Sequence, residues 1–228
     1  MKVISAVVSF SNKCSFGLAC REGKDVRILP AGGSALLVEL DDLASVLALS
    51  AALRARPLAG VREVVPAART VLLLCDPELA PLASVADAVR ALEPPSSAPS
   101  GRGAVVEIPA RYDGPDVDDV LAETGLTRAG LIDWHTSAEW QVAFCGFVPG
   151  FGYLVTDEPQ SISRRTTPRT SVPAGSIGLA AEFSGVYPRS SPGGWQLIGR
   201  TDLTLFDLDA DPPASLRPGV PVRFVDCT

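Results

Sequence analysis

Cysteine, histidine and lysine are the scarce residues of this 228-residue sequence. Its five cysteines (Cys14, Cys20, Cys75, Cys145, Cys227) form no CxxC pair, and its one histidine is His135, so a Cys/His zinc site is not expected. An odd, scattered set of thiols suits a reducing cytoplasm better than a disulfide framework. No uncharged apolar run reaches the roughly 18 residues of a membrane span, so no membrane partner is expected. Lys2 before the apolar stretch 3–10, with Ala19 before Cys20, sketches a lipoprotein signal. Ser11, Asn12 and Lys13 break it before any cleavage site. Nucleotide-binding loops are missing as well. Gly150-Phe151-Gly152 opens a GxGxxG but continues Tyr153-Leu154-Val155, and Gly23-Lys24 is followed by Asp25 and lacks the first glycine of a P-loop. Any ATP bound here would have to be held by arginines and backbone amides, which can fork onto phosphate oxygens.

The residues that are abundant describe a globular chain, with 46% apolar and 20% charged side chains. A chain of this length buries roughly 70% or more of its unfolded surface, so its core needs no disulfide staple. Twenty basic against 26 acidic residues give a net charge of -6, which argues against a nucleic-acid footprint. The charge is unevenly placed. Residues 1–100 carry ten side chains of each sign, so the whole deficit lies in the second half. Inside that acidic half, residues 161–200 hold Arg164, Arg165, Arg169, Arg189 and Arg200 against Glu182 alone, a local +4. All three lysines (Lys2, Lys13, Lys24) fall in the first 24 residues, a break that marks residues 1–25 as an extension outside the fold.

Past that break, residues 26–29 and 35–40 read as strands around the turn Ala31-Gly32-Gly33. Asp41 and Asp42 offer N-cap oxygens to a helix in which Leu43, Val46, Leu47 and Leu53 recur at helical spacing, ended by Pro57 and Gly60. Strands follow at 61–65 and 70–75. A second helix opens at Pro77 and carries Leu79, Leu82, Val85, Val89 and Leu92. This order predicts a small α/β sandwich over 26–93, with helices on one sheet face. The Pro-, Ser- and Gly-rich stretch 94–103 is the predicted linker. From 104 to 228 the pattern is a strand at 105–108, short helices at 116–123 and 127–134, and then strands at 141–147, 176–181, 194–198, 203–206 and 220–225. Frequent Gly and Pro between them predict a closed or sandwiched β structure, a barrel being the favoured form. The expected class is α+β.

Several groups carry possible chemistry. Ala174-Gly175-Ser176-Ile177-Gly178 loosely resembles a nucleophile elbow, but a strand rather than a helix follows it and His135 precedes it. Ser176 is therefore a turn serine and a candidate for substrate contact rather than a nucleophile. Cys145 sits in an apolar run and reads as a buried inert thiol. In the segment 146–153, aromatics alternate with Gly and Pro, so Pro149, Gly150, Phe151 and Tyr153 are candidates to line a pocket, the alternative being a barrel corner. Arg164, Arg165 and Arg169, with Arg200 later, lie in a stretch poor in acidic residues and are expected to form an anion site, the alternative being a solvated charged loop. His135, at the end of its helix, is either a packing residue or a general acid/base, since its ordinary pKa suits that work near neutrality.

His135-Thr136, GFVPGFGYL (146–154), RRTTPRTSVPAGSIG (164–178), SGVYP (184–188) and SPGGWQLIGRT (191–201) occur in one order. Together they resemble the family that comprises the 5-oxoprolinase B subunit, allophanate hydrolase subunit 1 and KipI, the carboxyltransferase domain of subdomains C and D. The resemblance runs from about Val26 to Asp226. It implies an N-terminal α/β domain followed by a cyclophilin-like β-barrel. It also implies a C-type partner (allophanate hydrolase subunit 2 or KipA-like), with an A-type component completing hydrolysis, and a chain inactive alone. The implied reaction phosphorylates the lactam oxygen of 5-oxoproline with ATP, Mg²⁺ accompanying the nucleotide. Other members are regulatory and inhibit a histidine kinase, so a non-catalytic, KipI-like regulatory role is the alternative function implied for this chain.

On that reading His135, Arg165 and Arg169 are the catalytic candidates, Arg165, Arg169 and Arg200 would hold charge on the transferring phosphoryl group, and Phe151 and Tyr153 would wall the ring of a small amide. Two positions depart from the family pattern. Gly32-Gly33 stands where Gly-Asp is usual, and Phe183 stands where Gln is frequent, which removes an amide from a possible ligand face.

Overall fold

The computed structural model describes residues 26–92 and 104–227. The predicted extension 1–25 and linker 94–103 lie outside the described residues.

The first part of the chain forms a four-stranded antiparallel sheet, order β1-β2-β4-β3, from β1 (Arg27–Pro30), β2 (Ala35–Glu39), β3 (Val61–Pro66) and β4 (Thr70–Cys75). Helix α1 (Leu43–Ala55) starts where Asp42 accepts the Ser45 amide at 2.7 Å. Alternation along the strands puts Leu36, Val38, Val71, Leu73 and Cys75 on one face, against Val46, Leu49 and Leu53 of α1 and Val85, Ala86 and Val89 of α2 (Leu82–Arg90). α2 begins five residues later than Pro77. The segment before it is a turn in which the Asp76 carboxylate accepts the Glu78 amide and the Asp76 carbonyl accepts those of Leu79 and Ala80. Pro81 then disfavours helical backbone at Ala80, so the helix starts after it and Leu79 stays exposed.

The second part forms a seven-stranded sheet, order β12-β9-β10-β7-β6-β13-β5. Its members are β5 (Val106–Ala110), β6 (Trp140–Cys145), β7 (Gly152–Val155), β9 (Ser176–Ala180), β10 (Phe183–Val186), β12 (Gln196–Arg200) and β13 (Pro221–Asp226). Only the β5–β13 pair is parallel. Reciprocal backbone bonds of 2.9 Å between Arg111 and Arg200 bring the β5 end of the sheet to β12, giving the expected barrel. β8 (Arg169–Val172) and β11 (Ser191–Gly193) pair with each other beside it. Residues 203–206 form no strand, only a bridge from Phe206 to Ala214.

Helices α3 (Val117–Thr124) and α4 (Arg128–Ser137) set Val117, Val120 and Leu131 against the barrel residues Ile108, Val142, Leu154, Leu179 and Phe224. A separate aromatic cluster contains Phe144, Phe151, Phe183, Tyr187 and Trp195, and Leu43 and Leu47 of α1 pack against it. α1 is therefore apolar on two sides because it serves two cores. Phe183 is 8% exposed and meets the rings of Phe144 at 5.7 Å and Tyr153 at 5.6 Å. Phe183 is thus a packing residue of this aromatic cluster. Gly32-Gly33 falls in the β1–β2 turn of the other sheet. Replacing Phe183 by Ala is expected to lower the unfolding free energy by about 3 kcal/mol, measured by urea denaturation.

Candidate functional site

A cleft of about 560 Å³ opens where the chain leaving β5 crosses β12 and the start of β9. Asp113, Arg169, Ser171, Ser176, Arg200 and Asp202 supply its polar lining, with Leu197 beneath. Glycines at 114, 175 and 199 make the crossing possible, Gly199 lying where a Cβ would meet the Arg111 carbonyl. A Cβ at Gly114 would collide with the Leu197 carbonyl, and one at Gly175, whose φ is +78°, with the Thr201 carbonyl. The close approach is bonded. Gly114 and Asp116 donate to the carbonyls of Ile198 and Leu197 at 3.2 and 3.0 Å, and Thr201 donates to Gly175 at 2.8 Å.

The arginines do have acidic partners, contrary to the sequence expectation. Asp116 Oδ1 accepts from Arg165 Nη1 and from Arg169 Nη2, each at 2.7 Å, while Oδ2 accepts the Leu197 amide at 2.7 Å. Arg200 Nη2 lies 2.8 Å from Asp113 Oδ2. The +4 island is therefore partly neutralised by two aspartates from the turn before α3, a segment distant in sequence. Asp116 is 2% exposed. Burial alone would raise its carboxyl pKa. The hydrogen bonds from Arg169 and the Leu197 amide, with the charges of Arg169 and Arg165, outweigh burial and hold the group below the usual carboxylate range. One carboxylate between two guanidiniums leaves a surplus positive charge, and the buried Arg165 Nε and Arg169 Nη1 have no hydrogen-bond partner.

His135 is not brought to this cleft. Its ring is fully buried, 4.1 Å from Phe224 and 5.2 Å from Trp140 by ring centroids. Nδ1 lies 2.8 Å from the Tyr112 hydroxyl and Nε2 lies 2.9 Å from that of Ser184, so a neutral ring has a partner on each side. Burial pushes its pKa down to about 3, far from the near-neutral value a general acid/base would use. The signal was present in the sequence, because Leu131 and His135 are four residues apart and share the buried face of α4.

The aromatic loop is also elsewhere. Val148 donates to the Gly146 carbonyl and Phe151 to that of Val148, folding the segment into a barrel corner. Phe151 is buried, 5.3 Å from both Tyr187 and Trp195, and Tyr153 stacks on Phe144 at 4.4 Å. None of Pro149, Gly150, Phe151 and Tyr153 lines the cleft. Of the candidates, the structure brings together Arg169, Ser176 and Arg200, with Arg165 joined to them through Asp116. Sequence reasoning missed Asp113, Asp116, Ser171 and Asp202. Asp116 stands at the N-cap position of α3, yet its side chain makes no capping bond.

Residues 26–216 match the model of the family described as carboxyltransferase domain, subdomain C and D. The chain belongs to this family. It is 49% identical over 124 residues to the 5-oxoprolinase B subunit of Escherichia coli O157:H7, an alignment covering 53% of this chain and 57% of that protein. It is 46% identical over 125 residues to the protein of the same name in Bacillus subtilis strain 168, covering 53% and 52%. The chain thus spans about half the length of these curated relatives. In fold it is similar to the Kluyveromyces lactis urea carboxylase, with a TM-score of 0.72 at 19% identity over 92% of this chain and 22% of that one. Among the described residues no helix is long and apolar enough to cross a membrane.

The buried His135 has a consequence for stability. Its folded pKa lies below its ordinary value of 6.5, so the stability it confers is complete above about pH 6.5 and is lost as pH falls towards 3. Urea unfolding between pH 6.5 and 5 is expected to weaken by up to about 1.4 kcal/mol per pH unit. His135→Gln, which can still bond Tyr112 and Ser184, is expected to show a smaller slope.

Proposed function

We propose that the chain is the B-type component of a complex that opens a small cyclic amide with ATP, 5-oxoproline being the substrate, and that it acts beside a C-type partner while an A-type component completes hydrolysis. The observation that carries this reading is the arginine cleft in a chain whose relatives are named as B subunits of 5-oxoprolinase. A volume of about 560 Å³ is of the size that takes a small acid together with part of a larger ligand. 5-Oxoproline presents a carboxylate, a lactam N–H and a lactam oxygen. Arg169 and Arg200 are the forks for its carboxylate or for phosphate oxygens, Asp113 is the acceptor for the N–H, and Ser176 is a hydroxyl within the same walls. The mixture of cations and carboxylates suits a ligand that is both anion and hydrogen-bond donor.

The residues fit a phosphate-bearing co-substrate in one respect: buried guanidinium N–H groups stand without partners and a positive charge is left over. ATP supplies the phosphoryl group that makes the lactam oxygen a leaving group. Arg165 and Arg169 would hold negative charge near that oxygen. Among the described residues no group of three or more His, Cys, Asp and Glu side chains could hold a metal ion. Mg²⁺ would then be carried mainly by phosphate oxygens and water, with Asp113 and Asp202 as the carboxylates at the cleft. Unpaired thiols at Cys75, Cys145 and Cys227 suit a reducing cytoplasm.

Purified alone, the chain is expected to show no ATP hydrolysis stimulated by 5-oxoproline. Assembled with its C-type partner it is expected to show it, and Arg169→Ala is expected to reduce the stimulated rate about 100-fold. An assembled complex that responds neither to 5-oxoproline nor to allophanate would favour the regulatory, histidine-kinase-binding reading instead.

A further inference from the structure

Asp116 joins three separate segments. It heads α3, its Oδ1 receives Arg165 from the loop before β8 and Arg169 from the start of β8, and its Oδ2 receives the β12 backbone at Leu197. Two guanidiniums converging on one oxygen repel each other, so the arrangement persists only while the carboxylate is charged and fixed. A plain structural tie between α3 and β12 would need neither arginine. That tie is already made by the Leu197 amide on Oδ2 and by the Asp116 amide on the Leu197 carbonyl at 3.0 Å. The second oxygen therefore does something else. Arg169 lines the cleft, and Arg165 and Arg169 retain buried N–H donors with no acceptor. Surplus charge and unused donors coincide in the same two side chains.

The geometry points to Asp116 as a positioning residue: it fixes the Arg169 guanidinium at the cleft wall, with Arg165 held on the same carboxylate oxygen, so that the net positive charge of the pair receives an oxyanion of the ligand. This rests on the reading of the cleft as the anion site. Asp116 does not touch the ligand, and its effect passes through Arg169.

Asp116→Asn keeps the shape and an acceptor for Leu197 but removes the charge. Asp116→Glu keeps the charge at a longer reach. The first measurement uses the chain alone. Arginine side-chain N–H signals of Arg165 and Arg169 are followed by NMR, with hydrogen exchange and a titration of inorganic phosphate. In the wild type these signals are expected to exchange slowly, and those of Arg169 to shift with phosphate. In Asp116→Asn exchange is expected to rise at least tenfold and the phosphate response to disappear, with partial recovery in Asp116→Glu.

The second measurement uses the assembled complex. Asp116→Asn is expected to lower kcat for substrate-stimulated ATP hydrolysis about tenfold, with KM changed less than threefold. In an Arg169→Ala background the same substitution is expected to change the rate by less than twofold, because the two residues act as one unit. Unchanged exchange and phosphate response in Asp116→Asn would overturn the proposal. So would an equal loss of activity with and without Arg169, the mark of a structural role alone. A complex with no stimulated activity would remove the enzymatic reading and leave the NMR measurement to decide the role of Asp116.

Discussion

The carboxylate of Asp116 is buried among two arginines and a backbone amide from a different strand, and the cleft exists because these three attachments hold at once. A buried ion is costly to desolvate and persists only with full hydrogen bonding. Here both oxygens are used, and the group remains ionised well into the acid range. Its attachments fix the turn before α3 against β12 and bring the loop of Arg165 and Arg169 to the same place. Gly114 and Gly175 let the backbones approach closely enough for this to happen.

The aromatic cluster supports the site from another direction. Leu197 lines the cleft, donates its amide to Asp116 and packs with Phe144, Phe151 and Trp195. Helix α1 of the first sheet presses Leu43 and Leu47 against the same cluster. The first sheet thus contributes to the site only by packing, while the polar groups of the cleft all come from the barrel and its flanking strands. His135, held between Tyr112 and Ser184, joins α4 to β10 in the same indirect way.

Much of the fold was legible where local signals are strong. The apolar strand β4, the Asp42 cap of α1 and the two short helices before the barrel all follow from spacing and capping. β7, β8, β10 and β11 were not legible because they are three or four residues long, contain Gly, Arg, Thr or Ser, and owe their conformation to partners elsewhere in the chain. The site divides in the same manner. A cluster of arginines in an acidic half pointed to Arg169 and Arg200, and a turn serine to Ser176. Asp116 could not be found that way, since its arginines lie 49 and 53 residues further along the chain. For His135 the two readings, packing residue or acid/base, are separated by its spacing from Leu131, which sets both on the buried face of α4. Of the two readings of Phe151 and Tyr153, pocket lining or barrel corner, the ring neighbours fit the corner.

The proposed binding of a small acid in the cleft between residues 113–115, Arg169, Ser176 and Arg200 can be seen directly in a crystal structure of the chain with its C-type partner, grown with 5-oxoproline. The ligand carboxylate is expected within hydrogen-bonding distance of Arg169 or Arg200. Density for the ligand against Phe151, Tyr153 and Trp195 instead, with that cleft unchanged, would contradict it.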